Sequence, residues 1–253
     1  MSECRFGPLT LAPMGQEILE IIACEKDAAE VEIPAMVNGR AVKKIGDYAF
    51  RDCAALRRVS FCEPTLEELL ADCGLYELGA HAFMGCSSLT EIELPWELSM
   101  VGWGCFHSCT ALWRVECSPN TYFSGYAFAN CRSLREITPL SSLSEGIFSH
   151  CMSLTQLPLD GECHTIDEDA FEHCEGLTEI IIPESVTRIE ALAFRGCYDL
   201  KRVTFSHPDG WVFSNRYREG VAPLDLSDPE RNAIALSRMD FDDGVIAWTR
   251  DKA

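Results

Sequence analysis

Apolar and polar positions along this chain recur on a spacing longer than the period of any single helix or strand. The plainest copy reads Ile166-Asp-Glu-Asp-Ala-Phe171-Glu-His-Cys174-Glu-Gly-Leu177-Thr-Glu-Ile180-Ile-Ile182. Its phenylalanine returns as Phe50, Phe83, Phe106, Phe128, Phe148, Phe171 and Phe194. Three residues after each stands a cysteine: Cys53, Cys86, Cys109, Cys131, Cys151, Cys174 or Cys197. Three further on comes Leu56, Leu89, Leu112, Leu134, Leu154, Leu177 or Leu200, and after three more Val59, Ile92, Val115, Ile137, Leu157, Ile180 or Val203. Five residues before each phenylalanine lies Ile45, Leu78, Val101, Phe123, Leu143, Ile166 or Ile189. Self-similarity of this kind is the signature of a solenoid, in which a unit buries its apolar face only by stacking on its neighbours.

Within a repeat, the segment Leu56 to Phe61 alternates with period two in its second half, so it predicts a strand, and strands of successive repeats then stack as a parallel sheet. Phenylalanine and cysteine fall on the returning arm and face inward. The phenylalanine spacings are 33, 23, 22, 20, 23 and 23, so the first interval holds an insertion, between Phe61 and Leu78. There Thr65-Leu-Glu-Glu68 has capping-box spacing, and Leu66, Leu69, Leu70 and Cys73 form a helical stripe, which predicts a short inserted helix read as a surface bulge. Before the template, over 1–44, the alternation Leu19, Ile21, Ala23, then Val31, Ile33 predicts a β-hairpin as an N-terminal cap. The repeats occupy 45–205. Beyond them, over 206–253, His207-Pro208-Asp209-Gly210 marks a boundary, and Ser227-Asp228-Pro229-Glu230 starts a helix to about Arg238. Val245, Ile246 and Trp248 then close the last repeat's core.

From Ile45 to Phe205 these residues resemble the BspA-like leucine-rich repeats, whose unit runs roughly Ile-Gly-x-x-Ala-Phe-x-x-Cys-x-x-Leu-x-x-Ile-x-Leu-Pro. Val31 to Ala41, with Ile33-Pro34 and Asn38-Gly39, looks like the usual lead-in to a first repeat. The resemblance implies an α/β solenoid: a horseshoe of seven repeats, capped at both ends, with a parallel sheet on the concave face. It implies a binding role, often on bacterial surfaces, and brings no catalytic residues with it.

Charged residues are 24% and hydrophobic ones 47% of the 253, a globular balance. The net charge of -19, from 21 basic and 40 acidic residues, repels phosphate backbones and argues against nucleic acid as a partner. The start, Met1-Ser-Glu-Cys-Arg-Phe-Gly-Pro, has no apolar run behind a basic segment, and no later stretch reads as a membrane span. A cytoplasmic monomer is expected as written, and a cell-surface protein if the sequence is a trimmed piece. The 14 cysteines then sit as reduced thiols. A spacing equal to the repeat period does not suit zinc, which needs close pairs such as Cys-x-x-Cys. Stacked copies point their Cβ atoms the same way, which disfavours a disulfide between them. His150-Cys151, Cys163-His164, His173-Cys174 and Cys105-His107-Cys109 read as structural, and Asp240 to Asp243 as a solvated turn. No nucleophile elbow, zinc helix or phosphate loop is present. No enzyme, metal or cofactor is expected.

What remains for function is the outward strand surface. Its middle column, Arg58, Glu91, Arg114, Glu136, Gln156, Glu179, Arg202, alternates in sign and predicts cross-strand pairing. The column before it is Arg57, Thr90, Trp113, Arg135, Thr155, Thr178, Lys201, and the one after it Ser60, Glu93, Glu116, Thr138, Pro158, Ile181, Thr204. An outward Trp flanked by Arg has the composition of an interface hot spot. A protein partner is therefore expected to centre on Trp113, Arg114 and Arg135, with Arg57 and Lys201 nearer the ends. The alternative is an exported adhesin that binds host protein or carbohydrate.

Overall fold

Every template repeat except the one around Phe148 contributes two short strands, one at the Leu-x-x-apolar segment and one at the apolar residue five before the phenylalanine. The computed structural model describes residues 3–62, 74–215, 218–223, 225–238 and 245–250. The chain divides into two units, Met1–Thr138 and Pro139–Ala253.

The first unit runs β1 (Cys4–Phe6), β2 (Leu9–Pro13), β3 (Ile18–Cys24), β4 (Glu30–Ile33), β5 (Met36–Val37), β6 (Arg40–Ile45), β7 (Arg58–Phe61), β8 (Glu77–Leu78), β9 (Glu91–Glu93), β10 (Met100–Val101), β11 (Arg114–Glu116), β12 (Tyr122–Phe123) and β13 (Glu136–Ile137). The strands expected from Leu-x-x-apolar are β7, β9, β11 and β13. They pair in parallel, β9 with β11 and β11 with β13, while β7 pairs with β4. A second parallel sheet is built from the apolar residue five before each phenylalanine: β3, β6, β8, β10 and β12, extended by antiparallel β1 and β2. The hairpin expected over 19–33 does not form. β3 pairs with β2 and β6, and β4 with β7, so that segment is a solenoid turn with one strand in each sheet. The two-residue turn lies later, where Asn38 and Gly39 take φ of 52° and 73° between β5 and β6. Positive φ at both central residues is what a turn matched to strand twist requires.

The second unit contains β14 (Thr165–Ile166), β15 (Glu179–Ile182), β16 (Arg188–Glu190), β17 (Arg202–Phe205), β18 (Trp211–Asn215), β19 (Arg218–Pro223), helix α1 (Pro229–Ser237) and β20 (Val245–Arg250). β15 pairs with β17 and β14 with β16, again in parallel. β20 lies antiparallel on β16 and on β18. α1 is the one α-helix among the described residues, and the parallel strands build a β-solenoid; the inserted helix expected at Thr65 to Cys73 lies outside the described residues. Asp228 caps α1, its carboxylate accepting from the amides of Glu230 and Arg231 at 3.0 and 3.2 Å. Buried Asn232 donates to the carbonyls of Val203 and Leu226, at 3.0 and 3.1 Å, and so pins the helix to β17. Trp211 and Trp248 are buried against Phe205, with ring centroids at 5.0 and 6.0 Å. Trp248 closes the core as expected; the side chains of Val245 and Ile246 lie outside the described residues.

The arm carrying phenylalanine and cysteine explains why these residue types recur. In the first unit Phe50, Phe83, Phe106 and Phe128 stack in sequence at 4.7, 5.3 and 5.4 Å, and in the second Phe148, Phe171 and Phe194 at 5.6 and 5.3 Å. All seven are buried. The residues two before and two after every phenylalanine take positive φ, for example Tyr48, Asp52, His81 and Gly85. That conformation is disfavoured for residues other than glycine. Hydrogen bonds between repeats hold it: the amides of Tyr48, Phe50 and Asp52 donate to the carbonyls of Ala80, Ala82 and Met84 at 3.0, 2.7 and 2.7 Å.

Candidate partner-binding face

Strand pairing sets the rows of the outward face in the first unit. Register places Arg114 opposite Glu91 on one side and Glu136 on the other, and Glu116 opposite Glu93. The expected sign alternation is therefore a physical ladder, and likewise Glu30 faces Arg58 while Glu179 faces Arg202 in the second unit. Arg114 contacts Glu116 and lies 3.8 Å from both Glu93 and Glu136. Its guanidinium thus lies among three carboxylates of the sheet. Arg114, expected as a contact residue, is tied into the ladder by three glutamates, Glu93, Glu116 and Glu136.

The row one residue earlier is different. The Trp113 amide donates to the Thr90 carbonyl at 2.8 Å, and the Trp113 carbonyl accepts from the amides of Arg135 and Glu136 at 3.0 and 3.1 Å. Thr90, Trp113 and Arg135 therefore stand side by side, with Trp113 38% exposed. Arg57 belongs to the same row at the start of β7, its amide donating to Ala29. Arg57 and Arg135 are exposed, and among the described residues neither has an ion pair. Lys201 occupies the matching row of the second unit, where its amide donates to Thr178 at 2.7 Å; it is not assigned to the face around Trp113.

Across the strands the face changes character. One margin carries Arg57, Trp113 and Arg135, the centre carries the charge ladder, and the far margin carries exposed Glu32, Ser60, Glu93 and Glu116. Beyond that margin lies a cleft of about 640 Å³, lined among others by Arg58, Phe61, Glu93, Leu94 and Trp96. Trp96 is 70% exposed, against 38% for Trp113. The sequence reading missed Trp96 because it follows the repeat strand rather than lying in an outward column. Its signal was available in Leu94-Pro95-Trp96, an aromatic placed directly after a proline that ends the strand. Among the described residues no three His, Cys, Asp or Glu side chains are placed to hold a metal ion, and no described helix is long and apolar enough to cross a membrane.

Comparison with known proteins adds a family and a fold. The sequence matches the BspA type leucine rich repeat region in six copies, over residues 27–143, 60–174 and 118–215. A search of curated proteins returned no match. Among solved structures, the chain is similar to the leucine rich repeat protein TpLRR of T. pallidum, at 22% identity over 80% of this chain and 82% of that one, with a TM-score of 0.50. It is also similar to a leucine rich cell surface protein of Faecalibacterium prausnitzii, at 18% identity over 83% and 96% of the two chains, with a TM-score of 0.38. A leucine-rich repeat protein of Bacteroides ovatus matches at 16% identity over 80% and 76%, with a TM-score of 0.33.

Proposed function

Because the chain belongs to the BspA-type leucine-rich repeat family, a family of protein-interaction and surface proteins, we propose that it is a non-catalytic module that binds a protein partner on the outward face of β7, β9, β11 and β13. The observation that carries the reading is the lateral grading of that face. An exposed Trp between arginines that have no ion pair among the described residues stands on one margin, and exposed glutamates with a second exposed Trp stand on the other. A partner that fits it presents an acidic strip towards Arg57 and Arg135 and a basic strip towards Glu93 and Glu116, with apolar groups over Trp113 and Trp96. Aromatic anchors of this kind contribute about 2 kcal/mol or more each when a partner buries them. Rim charges act mainly on the association rate and its salt dependence. Arg114 holds the glutamates in place and so orients the acidic margin.

The test uses the partner recovered by affinity capture from the source cell and then purified. Trp113→Ala and Trp96→Ala are each expected to weaken its binding tenfold or more with little change in melting temperature, and Arg135→Glu to slow association. Unchanged affinity in both tryptophan variants overturns the reading. A stability loss of about 3 kcal/mol or more in Trp113→Ala does so too, since it would make Trp113 a core residue.

A further inference from the structure

The first and last strands of the repeat array are finished differently. Along a strand, the amide and carbonyl of successive residues point to opposite sides, so every strand at the end of a sheet has one side unspent. In β17 the amides of Arg202 and Ser206 donate back to the carbonyls of Thr178 and Ile182, at 3.3 and 3.0 Å, which turns the Val203 carbonyl away from the sheet. That carbonyl accepts from buried Asn232 at 3.0 Å, so α1 covers the edge. The neighbouring strand β16 is continued by β20 and β18.

In the first unit, β2 and β1 continue the second sheet beyond β3 in the same way. The strand that β3's turn gives to the other sheet is β4, and there the sheet stops, two strands short. The amides of Arg57 and Arg58 donate to the Ala29 carbonyl at 2.7 and 3.3 Å, and that of Cys62 to the Ile33 carbonyl at 2.9 Å. With Val31 opposite Val59, residues 29, 31 and 33 spend their backbone groups on β7. Glu30 and Glu32 point theirs to the open side, and among the described residues no hydrogen bond reaches them. Val31 and Ile33 are buried, while the Glu30 and Glu32 side chains are exposed on the outward face. An edge of this kind is a template for one more strand.

Charge decides which strand can take the place. A second copy laid edge to edge would bring its own Glu30 and Glu32 against these two, and like charges directly opposite destabilise a strand pair. On the inner flank Arg58 stands opposite Glu30 and Ser60 opposite Glu32, and neither glutamate has an ion pair among the described residues. Lys26, in the turn before β4, is engaged with the Arg51 carbonyl. Both carboxylates therefore face the open side within a chain of net charge -19. We propose that β4 is a docking edge for an extended basic segment of a partner protein, which adds a strand to the sheet with Lys or Arg opposite Glu30 and Glu32. Main-chain hydrogen bonds hold such a strand and its alternate side chains give the selectivity. The residues between its cations are small or apolar, since they stand beside buried Val31 and Ile33. The site uses the backbone of β4 and not the side chains around Trp113, so it stands or falls separately from the outward face.

The probe is a short capped peptide of alternating lysine and valine, added to the full chain and followed by calorimetric titration and amide hydrogen exchange. The amides of Glu30 and Glu32 are expected to slow about tenfold or more, and those of Val31 and Ile33, already spent on β7, much less. N-methylation of the peptide at its lysines or at its valines, one and not the other, is expected to weaken binding about tenfold or more, because only alternate amides of an added strand face β4. The double variant Glu30→Lys, Glu32→Lys is expected to lose this peptide and to bind the counterpart that alternates glutamate and valine. Both positions are exposed, so the variant leaves the core intact. Equal binding of both N-methylated peptides overturns the proposal, since it would reduce the effect to attraction by an acidic chain. Protection of the Glu30 and Glu32 amides that rises with chain concentration in the absence of peptide overturns it too, and assigns the edge to a second copy.

Discussion

The residue four before the template phenylalanine is glycine three times in the first unit and acidic twice in the second. In the first unit Gly46, Gly79 and Gly102 follow one another along the second sheet. A Cβ on Gly79 would lie 2.4 Å from the Asp47 carboxylate and 2.7 Å from the Gly46 carbonyl carbon, and one on Gly102 would lie 2.6 Å from the Ala80 nitrogen. Backbone there packs on backbone, and the neighbouring outward residues are neutral or paired, as Lys44 is with Glu77 at 2.8 Å. In the second unit the same column holds Ser144, Asp167 and Glu190. Asp167 is raised in pKa by burial and then by Glu190, and Asp169 is raised to about 6 by burial and then by Glu172. Burial pushes Glu172 up as well, but its hydrogen bonds from Arg195 and Ser149 bring it below the usual range. The inward columns are the same in both units, so the template dictates packing alone and leaves the flanking column free to become either a tight backbone seam or an electrostatic cluster.

The largest effect should fall where the units agree. Phe106→Ala and Phe171→Ala each remove a ring from the middle of a buried stack, and each should cost about 3–5 kcal/mol, the usual range for such a truncation. Urea unfolding followed by tryptophan fluorescence measures both. A difference above about 2 kcal/mol between them would break the equivalence of the two cores. A smaller effect should separate the units. Gly79→Ala forces atoms into backbone and should cost about 3 kcal/mol, towards the upper end for overpacking. Asp167→Ala has no such obstruction and should stay within about 1 kcal/mol, as partly exposed substitutions do. Calorimetric melts that rank the two in the opposite order would show that the glycine seam is not close packed.

The smallest effect is the pH dependence that Asp169 brings to the second unit. The pKa of Asp169 is about 6 in the folded chain against 3.8 for a free carboxyl. Its folded pKa is raised, so its stabilising contribution is complete below pH 3.8 and is lost as pH rises through about 6. Asp169→Asn should therefore add about 1 kcal/mol at pH 7 and almost nothing at pH 3.5, the magnitude being discounted for its partial exposure. Asn also tolerates the positive φ of 55° at this position. Lys44 in the first unit is shifted upward by Glu77, so its contribution is lost only above pH 10.5. Equal pH profiles for Asp169→Asn and the parent chain would remove the electrostatic half of the contrast.

Much of this architecture is readable before any coordinates, because a solenoid must present the same side chain to the same neighbour in every turn. Phenylalanine, cysteine, leucine and the strand apolar residue are buried wherever the template puts them, save that Ile137 and Leu157 are only half-buried. Trp113 beside Arg135 was likewise legible, since outward columns follow once the strand is known. Tertiary structure decided the rest. The second strand at β8, β10, β12, β14 and β16 is two or three residues long, too short to leave a periodic trace. The positive φ values flanking each phenylalanine sit on Tyr, His, Asp and Leu as well as Gly, because hydrogen bonds to the next repeat hold them. Whether Arg114 stands alone or among the carboxylates of Glu93, Glu116 and Glu136 depends on strand register. The sequence by itself determined which residues face inward, because burial repeats with the period. Which outward groups are paired across the strands was decided by the fold, because contacts such as Arg114 with Glu93 and Glu136 join residues about 20 apart that no local pattern links.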